Sequence, residues 1–159
     1  LYFLSHENER KNLNTQEDLR NAFIKCAAAE TFLSWQYYKK KNSSRGNLDE
    51  KLKKGKIPEE FLRSMYFTYG DYRDICLDTD ISKKSGDVSN AKDNIGKVFE
   101  KGKSPGNLSR DQWWEKHGPE IWKGMLCALP HSDELKKKEE YKTPPEEFAK
   151  TPQFLRWFT

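Results

Sequence analysis

The stretch that most constrains this chain is WWEKHGPEIWKGMLCAL, residues Trp113–Leu129. Trp113, Trp114, His117, Ile121, Trp122, Met125, Leu126 and Leu129 recur at helical steps and share one broad face. The phase runs unbroken across Gly118-Pro119, although a proline inside a helix removes a hydrogen bond and crowds the preceding turn. Unbroken phase predicts one kinked helix rather than two. Ser109 and Gln112 have the spacing of a capping box at its start. Large aromatics at helical spacing fill a core, so Trp113, Trp114 and Trp122 are expected to pack against the segments holding Phe23 and Tyr69.

Those partner segments read as helices too. From Thr15, with Asp18 at capping-box spacing, Leu19, Phe23, Cys26, Ala27, Leu33 and Tyr37 recur to about Lys40. The small residues of CAAAE in this segment allow close approach by another helix. A second helix opens at Pro58, with Glu59 and Glu60 at the positive end of its dipole. Its stripe is Phe61, Leu62, Met65, Tyr66, Tyr69, Tyr72, Ile75 and Cys76, and Gly70 inside it marks close packing at a cost of about 1 kcal/mol relative to alanine. A shorter helix covers Ser89–Lys101, with Ala91, Ile95, Val98 and Phe99 inward. The polar stretches Lys41–Gly55 and Ser132–Pro145 are expected to be loops, and a last segment starts near Pro152. Strand signals are weak. The fold class is all-α: long antiparallel helices with connections of very unequal length.

Composition narrows what this bundle can do. Aromatics make up 13% of the 159 residues, too many for a disordered chain. No apolar run approaches the roughly 18 residues of a membrane span, and Leu1–Leu4 is too short for a signal peptide. A net charge of +4 does not by itself imply nucleic acid. The bases are unevenly spread, however. Lys39, Lys40, Lys41, Arg45, Lys51, Lys53, Lys54 and Lys56 crowd one stretch against Asp49 and Glu50, making either a solvated loop or a patch that attracts a sulfated glycan.

Catalytic and metal motifs fail on spacing. Cys127 and His131 are four apart, but Pro130 intervenes and no second ligand pair follows. Asp78, Asp80 and Ser82 start like a calcium loop, yet Lys83 stands where its glycine belongs and Ser89 where its final acid belongs. Asp71, Asp74, Asp78 and Asp80 read instead as helix-end and loop charges, with Arg73 as a partner. No cysteine-enzyme motif is present, and nothing singles out a glycosidase-like carboxylate pair.

Four blocks carry a resemblance: AAAETFLSWQYYKKKN, IPEEFLRSMYFTYGDYRDICLDTDIS, WWEKHGPEIWKGMLCAL and TPQFLRWFT. In order along nearly the whole chain, they resemble the Duffy-binding-like domains of the malarial erythrocyte membrane protein 1 family, closest to the beta type or the similar placental-variant domain. The resemblance implies a disulfide-stabilised helical bundle on the outer face of the infected erythrocyte membrane, within a larger protein anchored by a separate segment. It implies no enzymatic activity and no cofactor, but an adhesion domain of a variant surface antigen that binds a host receptor protein, with intercellular adhesion molecule 1 the leading expectation. The alternative is chondroitin sulfate, held by Lys39, Lys40, Lys41, Lys53 and Lys54. Host antibodies are further partners. Both ends look cut, so residues 1–159 are expected to be the central bundle of a longer domain.

Many relatives carry a cysteine where this chain has Leu62. Cys76 and Cys127 both end apolar helices, and outside the cell bridges persist. They are the candidate disulfide, leaving Cys26 free or paired elsewhere.

Overall fold

The computed structural model describes residues 1–79, 86–101 and 106–159. The calcium-like positions 80–85 lie outside the described residues. Among the described residues ten α-helices follow in order: α1 Tyr2–Ser5, α2 Glu7–Arg10, α3 Gln16–Lys41, α4 Leu48–Lys53, α5 Glu59–Leu77, α6 Gly86–Lys101, α7 Arg110–Cys127, α8 Ser132–Lys136, α9 Glu139–Lys142 and α10 Glu146–Lys150. Short 3-10 helices occupy Ser43–Arg45 and Gln153–Phe158, and no strand occurs among the described residues.

The two long capped helices begin where their side chains close reciprocal boxes. Thr15 accepts from the Asp18 amide while Asp18 accepts from the Thr15 amide, both at 3.1 Å. Ser109 and Gln112 do the same at the head of α7. Helix α7 runs through Pro119 without a break. Gly118 makes the adjoining packing possible, because a Cβ there would lie 2.6 Å from the Tyr69 hydroxyl.

Helices α3, α5 and α7 enclose the core. Phe23 of α3 packs 5.2 Å from Trp113, and Tyr69 of α5 packs 5.0 Å from Trp114 and 5.7 Å from Trp122. All five are buried, as are Ile121, Met125, Leu126 and Leu129. Along α3 and α7 the contacts ascend together: Trp113 donates to the Gln16 carbonyl, Arg20 pairs with Glu120, and Ile24 fills the space above Gly124. These helices therefore run the same way, while α5 opposes both. Trp35 meets Phe61 at one end of the α3–α5 pair, and Phe23 meets Tyr72 toward the other.

This directionality overturns the expected Cys76–Cys127 bridge. The Cys76 carbonyl accepts from Arg110, the first residue of α7, whereas Cys127 is its last. Seventeen residues at about 1.5 Å each put these positions roughly 25 Å apart, and a disulfide tolerates about 7 Å between Cα atoms. All three cysteines are free thiols, Cys26 and Cys76 buried and Cys127 exposed. No disulfide joins these three cysteines to one another.

Three further expectations are corrected. The stripe on α3 does not continue to Leu33 and Tyr37, which are 65% and 68% exposed; Thr31 and Trp35 take the buried face at strict four-residue steps from Leu19, Phe23 and Ala27. Lys41–Gly55 and Ser132–Pro145 are not plain loops but contain short helices, because Leu48, Leu52, Leu135 and Tyr141 are apolar enough to anchor turns on the core. Asp74 is not a surface charge partnered by Arg73. It is 3% exposed and binds Arg156 at 2.7 Å, and Arg156 is itself 1% exposed.

Candidate functional site

The basic segment folds around its own acid. Asn47 caps α4 by accepting from the Asp49 amide. Asp49 then accepts from the Trp35 indole at 2.9 Å and from Lys39 at 3.2 Å. Lys39 is thereby committed to an internal pair. Arg45 pairs with Glu60 at 3.3 Å. Lys40, Lys41, Lys53 and Lys54 remain exposed. The fold adds cations that sequence proximity could not show. Gly55, in the left-handed region at φ 80°, lies against Lys138, whose Cε sits 2.6 Å from where a Cβ would be. The lysine run 136–138 thus joins the end of α4. Here too acids intersperse: Lys137 pairs with Glu134 at 3.3 Å, and Lys142 with Glu139 at 2.9 Å. The result is a salted surface of point charges, split between an α3 corner and an α4–α8 corner.

A second surface is aromatic; the sequence marks its TPQFLRWFT block only as part of the family resemblance, not as a binding surface. In the turn Gln153–Phe158, Phe154 is 61%, Trp157 76% and Phe158 85% exposed. The turn is nevertheless fixed. Arg156 projects inward to Asp74 and donates to the Ala149 carbonyl at 2.8 Å. From α5, Arg63 donates to the Thr159 carbonyl at 2.9 Å and lies over the Phe67 ring at 5.3 Å. Phe67 in turn contacts Phe148 and Trp157, both at 5.0 Å. One buried arginine therefore holds a turn whose rings face outward. Such groups are the anchors that dominate protein–protein interfaces: aromatic, arginine-flanked and pre-ordered. The signal in the sequence was FLRWF, four large apolar residues around one charge, too short for periodicity to resolve.

Burial holds two thiols and two phenols in their neutral forms. Burial pushes the Cys76 thiol up to about 12 and raises Cys26 as well, so both stay protonated at neutral pH and are poor nucleophiles. Burial also raises the Tyr69 and Tyr72 phenols, which donate to Glu146 and Glu30 respectively. Burial opposes the charge of Glu120, but hydrogen bonds from Arg20 and His117 outweigh it and hold the carboxyl below its ordinary value. That triad ties α3 to α7. Among the described residues no group of three His, Cys, Asp or Glu could hold a metal ion, and no helix is long and apolar enough to cross a membrane.

A protein-family model described as the Duffy binding domain matches residues 1–156. Neither the curated proteins nor the solved structures contain a match to this chain.

Proposed function

We propose that this chain, which belongs to the Duffy-binding domain family, is part of a host-receptor-binding adhesion domain of a malarial variant surface antigen. Domains of this family are adhesion modules that bind host cell-surface receptors and form extracellular parts of larger surface proteins. The finer reading is cytoadhesion of infected erythrocytes through a host receptor protein, with intercellular adhesion molecule 1 as the first to test. The observation that carries a protein receptor over a glycan is the aromatic turn: Trp157, Phe158 and Phe154 stand exposed on a backbone pinned by Arg156. Pre-ordered aromatic anchors bring contact area at little entropic cost.

The second reading is a sulfated glycan on the lysine surface. Exposed Lys40, Lys41, Lys53 and Lys54, extended by Lys138, favour it. Against it stand the commitment of Lys39 to Asp49 and the interspersed acids. Charges spread in this way attract from a distance and are screened beyond a Debye length of about 8 Å at physiological salt.

Surface plasmon resonance separates the two. Intercellular adhesion molecule 1 and chondroitin sulfate are immobilised, and the wild type, Trp157→Ala and a variant neutralised at Lys39, Lys40, Lys41, Lys53 and Lys54 are passed over each at two salt concentrations. On the protein-receptor reading, Trp157→Ala raises the dissociation rate and the five-lysine variant alters mainly the association rate. Loss of glycan binding in the lysine variant, with no binding to the protein receptor by any form, overturns it in favour of the glycan.

A further inference from the structure

The outer face of α3 sends no apolar side chain into the core, yet it is patterned. Glu30, Leu33, Tyr37 and Lys40 follow at steps of three, four and three. At about 100° per residue these positions form one seam, the spacing of facing residues in a coiled coil. The seam is not covered: Glu30 and Lys40 are exposed, and Leu33 and Tyr37 are among the most exposed large side chains. Grooves of about 650 and 700 Å³ flank it, both bordered by Leu33 and Ser34 on one side and by α5 on the other.

We propose that this seam is a self-association surface, on which α3 pairs antiparallel with α3 of a second copy of the chain. The seam reads acid, apolar, aromatic, base. Turned end for end, it complements itself. With a two-fold axis midway between Leu33 and Tyr37, Leu33 faces the partner's Tyr37 and Glu30 faces the partner's Lys40. Both contacts occur twice by symmetry, as an isologous interface requires. Parallel pairing would set Glu30 against its own copy and Lys40 against its own, so charge selects the antiparallel orientation. Leu33 and Tyr37 of the two copies interdigitate across the axis, beside the grooves between α3 and α5. Glu30 is already oriented, since its carboxylate accepts from the Tyr72 hydroxyl at 2.7 Å. An extended peptide is a poorer occupant. The groove walls are helices whose backbone groups are already paired, so a strand would find no backbone partners, whereas a helix arrives with its own satisfied.

Sedimentation velocity over a micromolar concentration series tests this directly. The wild type is expected to pass from monomer to dimer as concentration rises. Leu33→Asp abolishes the dimer. Lys40→Glu raises the dimer dissociation constant by about tenfold or more, since symmetry converts two attractive pairs into two repulsive ones. Glu30→Lys does the same, and an equimolar mixture of Lys40→Glu and Glu30→Lys chains forms a heterodimer again, because each end regains an opposite charge. Circular dichroism checks that the variants fold. If Glu30→Lys does not, Glu30→Gln keeps an acceptor for Tyr72 and should weaken the dimer without changing the melt. A wild type that stays monomeric at every concentration, or a dimer indifferent to Leu33→Asp and Lys40→Glu, overturns the proposal.

Discussion

Gly70→Ala is the substitution on which helix propensity and packing disagree in sign. Gly70 lies in the interior of α5, where alanine is favoured over glycine by about 1 kcal/mol. Propensity alone therefore predicts a stabilised protein. The structure predicts the reverse. A Cβ at Gly70 would lie 2.9 Å from the guanidinium carbon of Arg156, 3.1 Å from Nη1 and 3.2 Å from Nε. A flexible arginine would swing aside, but this one is held by Asp74 at 2.7 Å and the Ala149 carbonyl at 2.8 Å, with 1% exposure. Displacing it strands a buried carboxylate, and breaking a buried pair from one side costs about 3–5 kcal/mol. Setting that against the helix gain leaves a net loss of about 2–4 kcal/mol. For a domain of this size that is roughly 5–15 °C in Tm. Equilibrium urea unfolding followed by tryptophan fluorescence reads the difference. A second background makes the cause separable. In Asp74→Leu/Arg156→Met, the charge pair is replaced from both sides and the obstacle is a flexible thioether. There Gly70→Ala should become neutral or stabilising by up to about 1 kcal/mol. A stabilising Gly70→Ala in the wild type, or an equal loss in both backgrounds, would refute the reasoning.

Other outcomes follow from the same packing. A thiol reagent such as dithionitrobenzoate should label one cysteine of the native protein rapidly, Cys127, and release Cys26 and Cys76 only on unfolding; immediate labelling of two or more would contradict their burial. Stability should fall at alkaline pH. The folded state keeps the Cys76 thiol protonated up to about 12, while the unfolded thiol titrates from the ordinary value of 9.0, so its contribution is complete below that value. It is then lost at about 1.4 kcal/mol per pH unit as pH climbs through this window. Raised Cys26, Tyr69 and Tyr72 act in the same direction. Cys76→Ala should flatten the slope of urea-derived stability against pH. Trp122→Ala, which removes a buried ring and its hydrogen bond to the Tyr141 carbonyl, should cost about 3–5 kcal/mol by the same denaturation assay.

What the sequence made legible was local. Thr15 with Asp18, and Ser109 with Gln112, announce helix starts because the bonds that close each box span three residues. Trp113 to Leu129 announces a buried face because helical phase needs no partner to be visible. The short helix α4 was within reach, since Asn47 is a capping residue and Leu48 and Leu52 are four apart, but the surrounding lysines masked the signal. Long-range pairings were not legible. Nothing adjacent in sequence says that Arg156 will enter between Gly70 and Asp74, that Lys138 will cover Gly55, or that Cys76 and Cys127 end at opposite poles of α7. Those facts depend on helix direction and on side chains some eighty residues away. The aromatic turn was missed for a related reason: its rings are exposed because one central residue is buried, an inversion of the usual pattern.

The Arg156–Asp74 pair also sets the order of events when the chain is made. Synthesis delivers Asp74 in the middle of the polypeptide and its counter-ion some eighty residues later. Until residue 156 clears the ribosomal exit tunnel, Asp74 lacks its counter-ion, and the turn that covers this face of α5 cannot seat. The face of α5 that carries Gly70 and Asp74 should therefore stay wet until Arg156 emerges, then close in one step. With a linker long enough to carry residue 159 out of the exit tunnel, a tethered chain cut just before Arg156 should be more sensitive to protease than one that includes it, although the two differ by only a short turn of surface polypeptide.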